Sequence, residues 1–337
     1  MYLKDQTYII AEAGINHNGS FMIAKKLIYA AKKCGADAIK FQSFNPEKVV
    51  IKKLKLANYQ KKNLGVKSKS MLDMIKNFKL TQEDHFKLLK IAKKNKIDFI
   101  SSAFDLESLD FLIKKLKLKI LKIPSGEINN FQYLKRISTT KKKIILSTGM
   151  SNINEINQAL KILTSKGLSK SNIVILHCNT AYPTPYKDVN LYVLNEFKRR
   201  FKKRFGLSDH SLGIEVPIAA AALDAKVIEK HFTLNKRFKG PDHKASLEPK
   251  EFKLMVSSIR NIDAAKGTMV KKITPSEKQN IFFARKSIVA KTPIKKGQKF
   301  SQKNLTVKRP GTGMSPMLWP KVINKKAKKN YRKDEQI

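Results

Sequence analysis

Short apolar runs alternate with segments of helical spacing along most of the chain. Runs such as TYIIAEAG, ADAIKFQS, KIILSTG and AKVIEKHFT are rich in apolar and β-branched residues and end in polar ones. Each is followed by a segment whose apolar residues recur three and four positions apart. Eight strands that alternate with helices over about 265 residues predict a protein of the α/β class built as a (β/α)8 barrel.

The helical segments are predicted by their apolar spacing and by the residues at their ends. They are expected at 20–35, 82–96, 106–116, 152–166 and 248–265. Ser20 begins the first of these segments and Gly35 ends it, in keeping with the residue types that start and stop helices.

Two parts of the chain lie outside this alternation. A lysine-rich insertion at 45–80 separates the second and third strands, and we expect it to cover the strand ends as a lid or contact surface. Beyond the barrel, predicted to span 1–267, the stretch 268–280 shows no strand or helix period and is expected to be a linker. Residues 281–337 contain short β runs with Gly-Pro turns, which predict a small second β domain.

The polar residues occur at the carboxyl ends of the predicted strands, where barrel enzymes form their active sites. Convergence from eight strands on one mouth indicates a site more strongly than any single polar residue could. The residues expected at this mouth are Glu12, Lys40, Gln42, Ser102, Lys122, Ser125, Glu127, Ser147, Thr180, Ser208, His210 and His231.

His210 and His231 are 21 residues apart, which corresponds to one helix and one strand. They are therefore expected on neighbouring strand ends, where both imidazoles can face one ion. Two nitrogen ligands with open coordination positions suit a divalent metal that acts as a Lewis acid. A structural zinc site would need four protein ligands, and the sequence offers no closed set.

The lysines and serines at the mouth predict a pocket for a small phosphorylated carboxylate. Lys40 and Lys122 are flanked by apolar strand residues, where a solvated lysine would not be placed, and Ser125, Ser147 and Ser208 add hydroxyl groups. The carboxylates in reach are Glu12, Glu127 and Asp242, one of which is expected to handle protons.

The net charge of +44 suggests nucleic acid as a partner, but its distribution argues against one. The basic residues are mostly lysine, with nine arginines, and they are scattered along every segment. Because arginine is the better ligand for bases and phosphates, we expect a solvated lysine surface and no specific nucleic-acid partner.

The same composition bears on location. No export signal or membrane span is visible, and Cys34 and Cys178 form no disulfide framework. We therefore expect a cytoplasmic protein without a membrane partner.

Several motifs in order along the whole chain resemble the sialic acid synthase family. They are IIAEAGINHNG, IKFQ, KIPSGE, ILSTGM, HCNTAYPTP, LSDHSLG, EKHFT, GPDHKAS and KRPGTGMSP. Members of that family join a (β/α)8 barrel to a small antifreeze-like β-clip (SAF) domain. In a domain-swapped homodimer, this domain covers the partner's active site.

The resemblance implies a transferase that condenses phosphoenolpyruvate with N-acetylmannosamine, or with a 2,4-diacetamido-6-deoxy relative. The products are a nine-carbon 2-keto acid and phosphate, and Mn²⁺ or Mg²⁺ is the usual ion. His210 and His231 would hold this ion, which polarises the sugar aldehyde for attack by C3 of phosphoenolpyruvate.

The matching motifs also imply roles for the other mouth residues. Glu127 would steer the water that adds at C2, and Arg309 would reach the N-acetyl group from the other subunit. Glu12, Gln42, Tyr182 and Asp242 would contact the amino sugar. Phosphoenolpyruvate would be bound by Lys40, Ser102, Lys122, Ser125, Ser147, Thr180 and Ser208. Glu12, Glu127 and Lys40 are the expected catalytic residues.

Three alternatives remain open at the level of sequence. Legionaminate could be the specific product, since the motifs around the sixth strand also resemble that branch of the family. A Schiff-base aldolase could use Lys122 or Lys40, provided that the lysine is neutral. A polyanion-binding protein on an inactive barrel would explain the charge without any turnover.

Overall fold

The computed structural model describes residues 6–56 and 70–337. The chain forms two compact units, one that ends at Lys266 and one that spans Gly267–Ile337. Within the described residues, no helix has both the length and the apolar character needed to cross a bilayer.

The first unit contains a closed barrel of eight parallel strands, which confirms the predicted fold class. The strands are β1 Tyr8–Gly14, β2 Ala38–Ser43, β3 Asp98–Ala103, β4 Ile120–Ile123, β5 Lys143–Ser147, β6 Ile173–Cys178, β7 Phe205–Asp209 and β8 Val227–His231. Each strand pairs with the next in sequence, and β8 pairs with β1 to close the ring, with Glu12 opposite His231.

Helices surround the barrel and follow the strands as the apolar spacing predicts. They are α1 Phe21–Lys33, α2 Pro46–Val49, α3 Met71–Lys76, α4 Gln82–Lys94, α5 Leu106–Asp110, α6 Phe131–Ser138, α7 Ile153–Thr164, α8 Tyr186–Val189, α9 Val193–Phe201, α10 Glu215–Ala222 and α11 Pro249–Ala265. A π-helical turn, Phe111–Lys115, continues α5. In α1, the Ser20 side chain caps the first turn, and Ala24, Leu27, Ile28 and Ala31 form the buried face.

Two apolar cores hold the barrel together. The larger core lies between the strands and the surrounding helices, and the smaller core consists mainly of the lower inward-facing residues of the strands. The inner core fills the bottom of the barrel, and above it a cavity opens toward the carboxyl ends of the strands. Its members are Tyr8, Ile10, Ala38, Ile100, Ile120, Ile145, Val174, Leu176 and Val227.

The insertion at 45–80 is described at its two ends, which include α2 and α3, and its residues 57–69 lie outside the described part. Leu56, Met74 and Phe78 form a small apolar cluster with Ile15 of the β1 loop. This contact fixes both ends of the insertion against the rim of the barrel. The rest of the predicted lid falls on residues that the structure does not describe.

The second unit has its own small core and contains the antiparallel pair β9 Ser287–Ala290 and β10 Leu305–Lys308. It also contains α12 Pro275–Ala284 and α13 Trp319–Val322. The prediction of an aperiodic linker over 268–280 is wrong in its second half, where α12 begins. Thr274 and Glu277 form a capping box with Pro275 at the first position, but the described side chains of α12 are not buried. Without a buried face, the helix has no apolar stripe by which its spacing could be recognised.

Candidate active site

A layer of polar side chains lies directly above the apolar core inside the barrel. Successive side chains of a strand point to opposite faces, so residues two apart both point inward. Ile10, Ala38, Ile100, Ile120, Ile145 and Val227 belong to the apolar layer, and the residues two positions later are Glu12, Lys40, Ser102, Lys122, Ser147 and Glu229. His231, two positions after Glu229 in β8, follows the same alternation. The local geometry of the strands therefore places this chemistry at the mouth.

The polar layer forms the floor of a cavity of about 280 Å³. The structure brings together here thirteen of the fifteen residues that the sequence indicates: Glu12, Lys40, Gln42, Ser102, Lys122, Ser125, Ser147, Thr180, Tyr182, Ser208, His210, His231 and Asp242. The cavity can hold a small polar ligand and is partly enclosed by buried charged groups.

Two lysines and two carboxylates alternate across the floor, and all four are almost fully buried. Lys40 Nζ lies 2.9 Å from Glu12 Oε1 and 3.6 Å from Glu229 Oε1. Lys122 Nζ donates to the same Glu229 oxygen at 3.2 Å, and Ser208 Oγ donates to it at 3.0 Å. The positive charges of this floor are therefore held in place before any ligand arrives.

The two carboxylates have different pKa values because their neighbours differ. Burial raises the pKa of Glu12 to about 7, against the attraction of Lys40. Burial would also raise the pKa of Glu229, but Lys122, Lys40 and the Ser208 hydroxyl outweigh it and lower that pKa to about 2. Glu229 is thus a fixed anion, whereas Glu12 can exchange a proton near neutral pH.

Several buried polar atoms at the floor have no hydrogen-bond partner within the described residues. They are Glu12 Oε2, Glu229 Oε2, Ser147 Oγ and His231 Nδ1. A buried polar group without a partner costs about 1–3 kcal/mol, so such a cluster is typical of a site completed by its ligand.

His210 and His231 are adjacent at the ends of β7 and β8, with their ring centroids 5.2 Å apart. His210 Nδ1 is hydrogen-bonded to the carbonyl oxygen of Asn179, which orients the ring and leaves Nε2 outside this hydrogen bond. Burial and the neighbouring His210 lower the pKa of His231 well below its usual range, so this imidazole is neutral.

These two rings fit a divalent ion. Their separation is compatible with a shared ion, since each metal–nitrogen bond is about 2.1 Å long. Neutral imidazole is the form that binds metals. No group of three His, Cys, Asp or Glu side chains within residues 6–56 and 70–337 could hold a metal ion. A bound ion would therefore take its remaining ligands from water or substrate.

Two of the residues indicated by the sequence do not line this cavity. The Glu127 side chain is half-buried beside the barrel mouth and accepts a hydrogen bond from Asn130 Nδ2 at 2.6 Å. Arg309 lies in the second unit, directly after β10, and is exposed.

Sequence reasoning missed Glu229 and Cys178, which also line the cavity. Cys178 Sγ lies 3.8 Å from His210 Nδ1 and 3.6 Å from Ser125 Oγ. Glu229 could have been found because it falls midway between the inward-facing Val227 and His231. Instead, the pair Glu229-Lys230 has the appearance of ordinary surface charge. The apolar part of the lining, which includes Phe44, Met71 and Met74, was also not expected from the sequence.

A hydrogen-bond network between the β1 and β8 loops holds Asp242 at the rim. Asn16 Nδ2 donates to the carbonyl oxygen of Phe232 at 2.9 Å and to Ser246 Oγ at 2.8 Å. Ser246 Oγ in turn donates to the carbonyl oxygen of Asp242 at 2.7 Å. The motifs INHNG and GPDHKAS are therefore in direct contact across the barrel seam. Burial raises the pKa of the Asp242 carboxyl to about 6.

The fold and this cavity define the protein as an enzyme of the (β/α)8-barrel class, with a buried, charged site at the carboxyl ends of its strands. The chain belongs to the NeuB family, whose model matches residues 27–271, and the SAF domain model matches residues 285–337.

Known proteins similar over nearly the full length support this assignment. The N,N'-diacetyllegionaminic acid synthase of Campylobacter jejuni is 51% identical, with 98% of this chain and 99% of that protein covered. The enzyme of the same name from Legionella pneumophila is 42% identical, covering 96% of this chain and 91% of that protein. The crystal structure of N-acetylneuraminic acid synthetase from Leptospira borgpetersenii has a TM-score of 0.71 and 31% identity, covering 82% of this chain and 90% of that one. This chain therefore belongs to a family of nonulosonic acid synthases.

Proposed function

We propose that this enzyme condenses phosphoenolpyruvate with an N-acetylated amino sugar to give a nine-carbon 2-keto acid and phosphate. The observation that carries the proposal is the buried floor in which Glu229 holds Lys40 and Lys122 beneath an open cavity. Two paired cations with nearby hydroxyl groups suit a ligand that carries both a phosphate and a carboxylate. The names of the full-length relatives support the same class of product.

In the proposed reaction, C3 of phosphoenolpyruvate forms a carbon–carbon bond with the aldehyde carbon of the open-chain sugar. Water adds at C2, the bond from C2 to the phosphate oxygen breaks, and the aldehyde oxygen gains a proton. Lys40, Lys122, Ser102, Ser125, Ser147, Thr180 and Ser208 would hold phosphoenolpyruvate. The buried lysines would orient its anionic groups, and their fixed Glu229 partner keeps them in place while charge develops.

Glu12 is the candidate for proton transfer. Its Oε2 atom is buried without a described partner, and its pKa of about 7 allows it to gain and lose a proton at neutral pH. Glu127 remains our proposal for steering water, although its side chain lies outside the cavity lining and would need to turn toward it. Gln42, Tyr182 and Asp242 would bind the sugar together with Glu12.

A divalent ion, Mn²⁺ or Mg²⁺, is proposed at His210 and His231, where it would supply Lewis-acid polarisation of the aldehyde. His231 Nδ1 has no hydrogen-bond partner within residues 6–56 and 70–337 and could bind the ion, and His210 would bind it through Nε2, since its Nδ1 is hydrogen-bonded to Asn179. Tyr182 packs against both rings, with centroid distances of 4.2 Å to His210 and 5.6 Å to His231, and helps to fix their orientation. We also propose a domain-swapped homodimer in which Arg309 of one chain approaches the N-acetyl group bound by the other.

Phosphate release tests the proposal. Phosphoenolpyruvate is offered with N-acetylmannosamine and, separately, with its 2,4-diacetamido-6-deoxy relative, and phosphate and 2-keto acid are measured together. We expect turnover with at least one sugar, loss of turnover in EDTA, and recovery on addition of Mn²⁺ or Mg²⁺. His210→Ala should abolish the activity while the circular dichroism spectrum is retained. Phosphate release that does not depend on any sugar would contradict the condensation.

Legionaminate as the specific product is supported by the two relatives that carry this name.

A Schiff-base aldolase is the second candidate, because burial lowers the pKa of Lys122. Against it, Lys122 is paired with Glu229 at 3.2 Å, and this carboxylate opposes the effect of burial by favouring the charged form of the amine. Borohydride with pyruvate distinguishes the two reactions, since covalent trapping at Lys122 is expected only of an aldolase.

A further inference from the structure

A buried ion pair lies directly behind the two histidines at the ends of β7 and β8. Lys230 Nζ lies 2.5 Å from Asp209 Oδ2, and the two side chains are 0% and 2% exposed. Asp209 comes directly before His210 in the chain, and Lys230 comes directly before His231. The ion pair therefore joins the two residues that precede the imidazoles.

This ion pair lies on the outer face of the barrel, whereas the imidazoles line the cavity. Leu207 and Ile228 point outward into the core between the strands and the helices. Asp209 and Lys230 are two positions further along the same strands, so they point outward as well, and they are opposite each other in the ladder of β7 and β8. Neither side chain lines the cavity. Any effect of the pair on a bound ligand must therefore act through the histidines.

The same ammonium group also holds the residue that follows His210. Lys230 Nζ donates to the carbonyl oxygen of Ser211 at 2.6 Å. Asp209 Oδ1 accepts from the amide and from the hydroxyl of Ser211, at 2.9 and 2.7 Å. The carbonyl oxygen of His210 itself accepts from the amide of Thr184 at 2.9 Å. The backbone on both sides of this histidine is thus tied to the β8 residue that precedes the other one.

Stability alone is a weak explanation for a buried ion pair. The cost of removing both charges from water offsets most of their attraction, and apolar residues of similar volume often serve as well. Leu207 and Ile228 show that the outer face accepts apolar residues one step below the pair. Hydrogen bonds differ from apolar contacts in fixing both a distance and a direction. The ion pair is therefore suited to hold two strand ends at a defined separation.

We infer that Lys230, held by Asp209, is a positioning residue that sets the separation of the two imidazoles and thereby the affinity for a divalent ion. The inference rests on the proposed function, which assigns this ion to His210 and His231. The ring centroids are 5.2 Å apart, and a shared ion needs a nitrogen of each ring within about 2.1 Å. A small change in separation would lengthen at least one of these bonds. Residues that orient metal ligands typically change metal affinity by about 10- to 100-fold when they are replaced.

A charge-neutral replacement of the pair tests this inference. The double variant Asp209→Asn, Lys230→Met removes both charges with little change in side-chain volume, so no buried ion is left unpaired. Mn²⁺ is titrated into the full chain without substrates, and the unbound ion is measured by electron paramagnetic resonance. We expect the Kd for Mn²⁺ to rise about 10- to 100-fold in the double variant. This measurement does not depend on turnover.

A second lysine–aspartate pair in the same unit provides a matched control. Lys198 Nζ of α9 lies 2.5 Å from Asp224 Oδ2, before β8, but these side chains are 55% and 36% exposed and do not line the cavity. The double variant Asp224→Asn, Lys198→Met makes the same chemical changes away from the histidines. We expect it to keep the wild-type Kd for Mn²⁺.

Steady-state kinetics separate positioning from general damage to the barrel. We expect the Asp209→Asn, Lys230→Met variant to need a higher Mn²⁺ concentration for half-maximal turnover. Its KM for phosphoenolpyruvate should stay at the wild-type value, because the phosphoenolpyruvate residues of the proposed function lie on the inner face. A purely structural pair would change the melting temperature and leave the Kd for Mn²⁺ unaltered.

The outcomes distinguish this inference from the proposed function. A folded double variant that binds Mn²⁺ as tightly as the wild type would overturn the inference alone. A wild-type protein that binds no Mn²⁺ would overturn the metal site of the proposed function and the inference with it. If the double variant does not fold, Ser211→Ala replaces it, since this change removes one hydrogen bond to Asp209 and keeps the ion pair. The Kd should rise in this variant too, and an unchanged Kd would overturn the inference.

Discussion

Glu229 is predicted to be a major stabilising charge of the barrel as well as part of its site. Its Oε1 atom lies 3.2 Å from Lys122 Nζ and 3.6 Å from Lys40 Nζ, and all three side chains are buried. At an effective dielectric constant of about 20, each attraction is worth about 5 kcal/mol before desolvation is counted. Glu229→Gln removes both attractions and leaves two buried lysines to share Glu12.

The net loss is smaller than the Coulomb sum, because the variant no longer has to desolvate the carboxylate. Removing one partner from a buried ion pair typically costs 3–5 kcal/mol, and we expect a loss of about that size at pH 7.5. With a denaturant slope of about 3 kcal/mol per molar urea, the unfolding midpoint should fall by about 1–1.7 M.

Urea unfolding followed by circular dichroism measures this midpoint, and Glu107→Gln is the control. Glu107 is 2.6 Å from Lys48, but both side chains are more than half exposed, so its midpoint should match the wild type. Inorganic phosphate should stabilise Glu229→Gln more than the wild type, because it can pair with the uncompensated lysines. Equal midpoints for the two variants would refute the assignment of Glu229 as a buried counter-ion.

Three other predictions concern different parts of the barrel. A Cβ at Gly206 would lie 2.1 Å from the carbonyl oxygen of Val227, so Gly206→Ala should force β7 and β8 apart. The free energy of unfolding, measured in urea, should fall by about 3 kcal/mol. Burial lowers the pKa of His17 to about 3 from an ordinary value of 6.5, so the unfolded chain binds this proton more readily. The neutral His17 therefore contributes stability that is fully present above pH 6.5 and is lost as the pH falls toward 3, with a loss of about 2 kcal/mol at pH 5. His17→Gln removes this titrating group, so the urea midpoint of the variant should depend less on pH. Asn16→Ala removes the hydrogen bonds that hold the Asp242 loop, and should raise the sugar KM by about tenfold with little change in the KM for phosphoenolpyruvate.

Each of these three predictions has an outcome that would contradict it. Gly126→Ala is the control for the strand substitution, because nothing lies within 4 Å of its added Cβ, and equal losses would discount the close approach. An unaltered acid dependence in His17→Gln would assign it to other groups. A matching rise in both KM values for Asn16→Ala would indicate general distortion of the site.

Local periodicity explains what could be predicted for the site. Because inward-facing residues recur at every second position of a strand, Lys40, Ser102 and Lys122 could be assigned to the mouth from their place near the strand ends. Glu229 follows the same rule, but the sequence does not show it. Its inward direction becomes clear only once Val227, two positions earlier, is known to point into the barrel. The helix over Pro275–Ala284 was missed for a related reason, because no buried face marks its spacing.

The alternation of strands and helices in the barrel, the α/β class and most of the polar residues at the strand ends follow from the sequence alone. These depend on the local period of a strand and of a helix, which steric limits on the backbone impose. Which of those residues meet depends on contacts that form when the whole barrel closes. Closure of β8 on β1 places Glu12 opposite His231, and the ring brings Glu229 between Lys40 and Lys122. It also turns Met71 and Val50, ordinary apolar residues in the sequence, into a wall of the cavity, because such contacts arise from pairings between segments far apart in the chain.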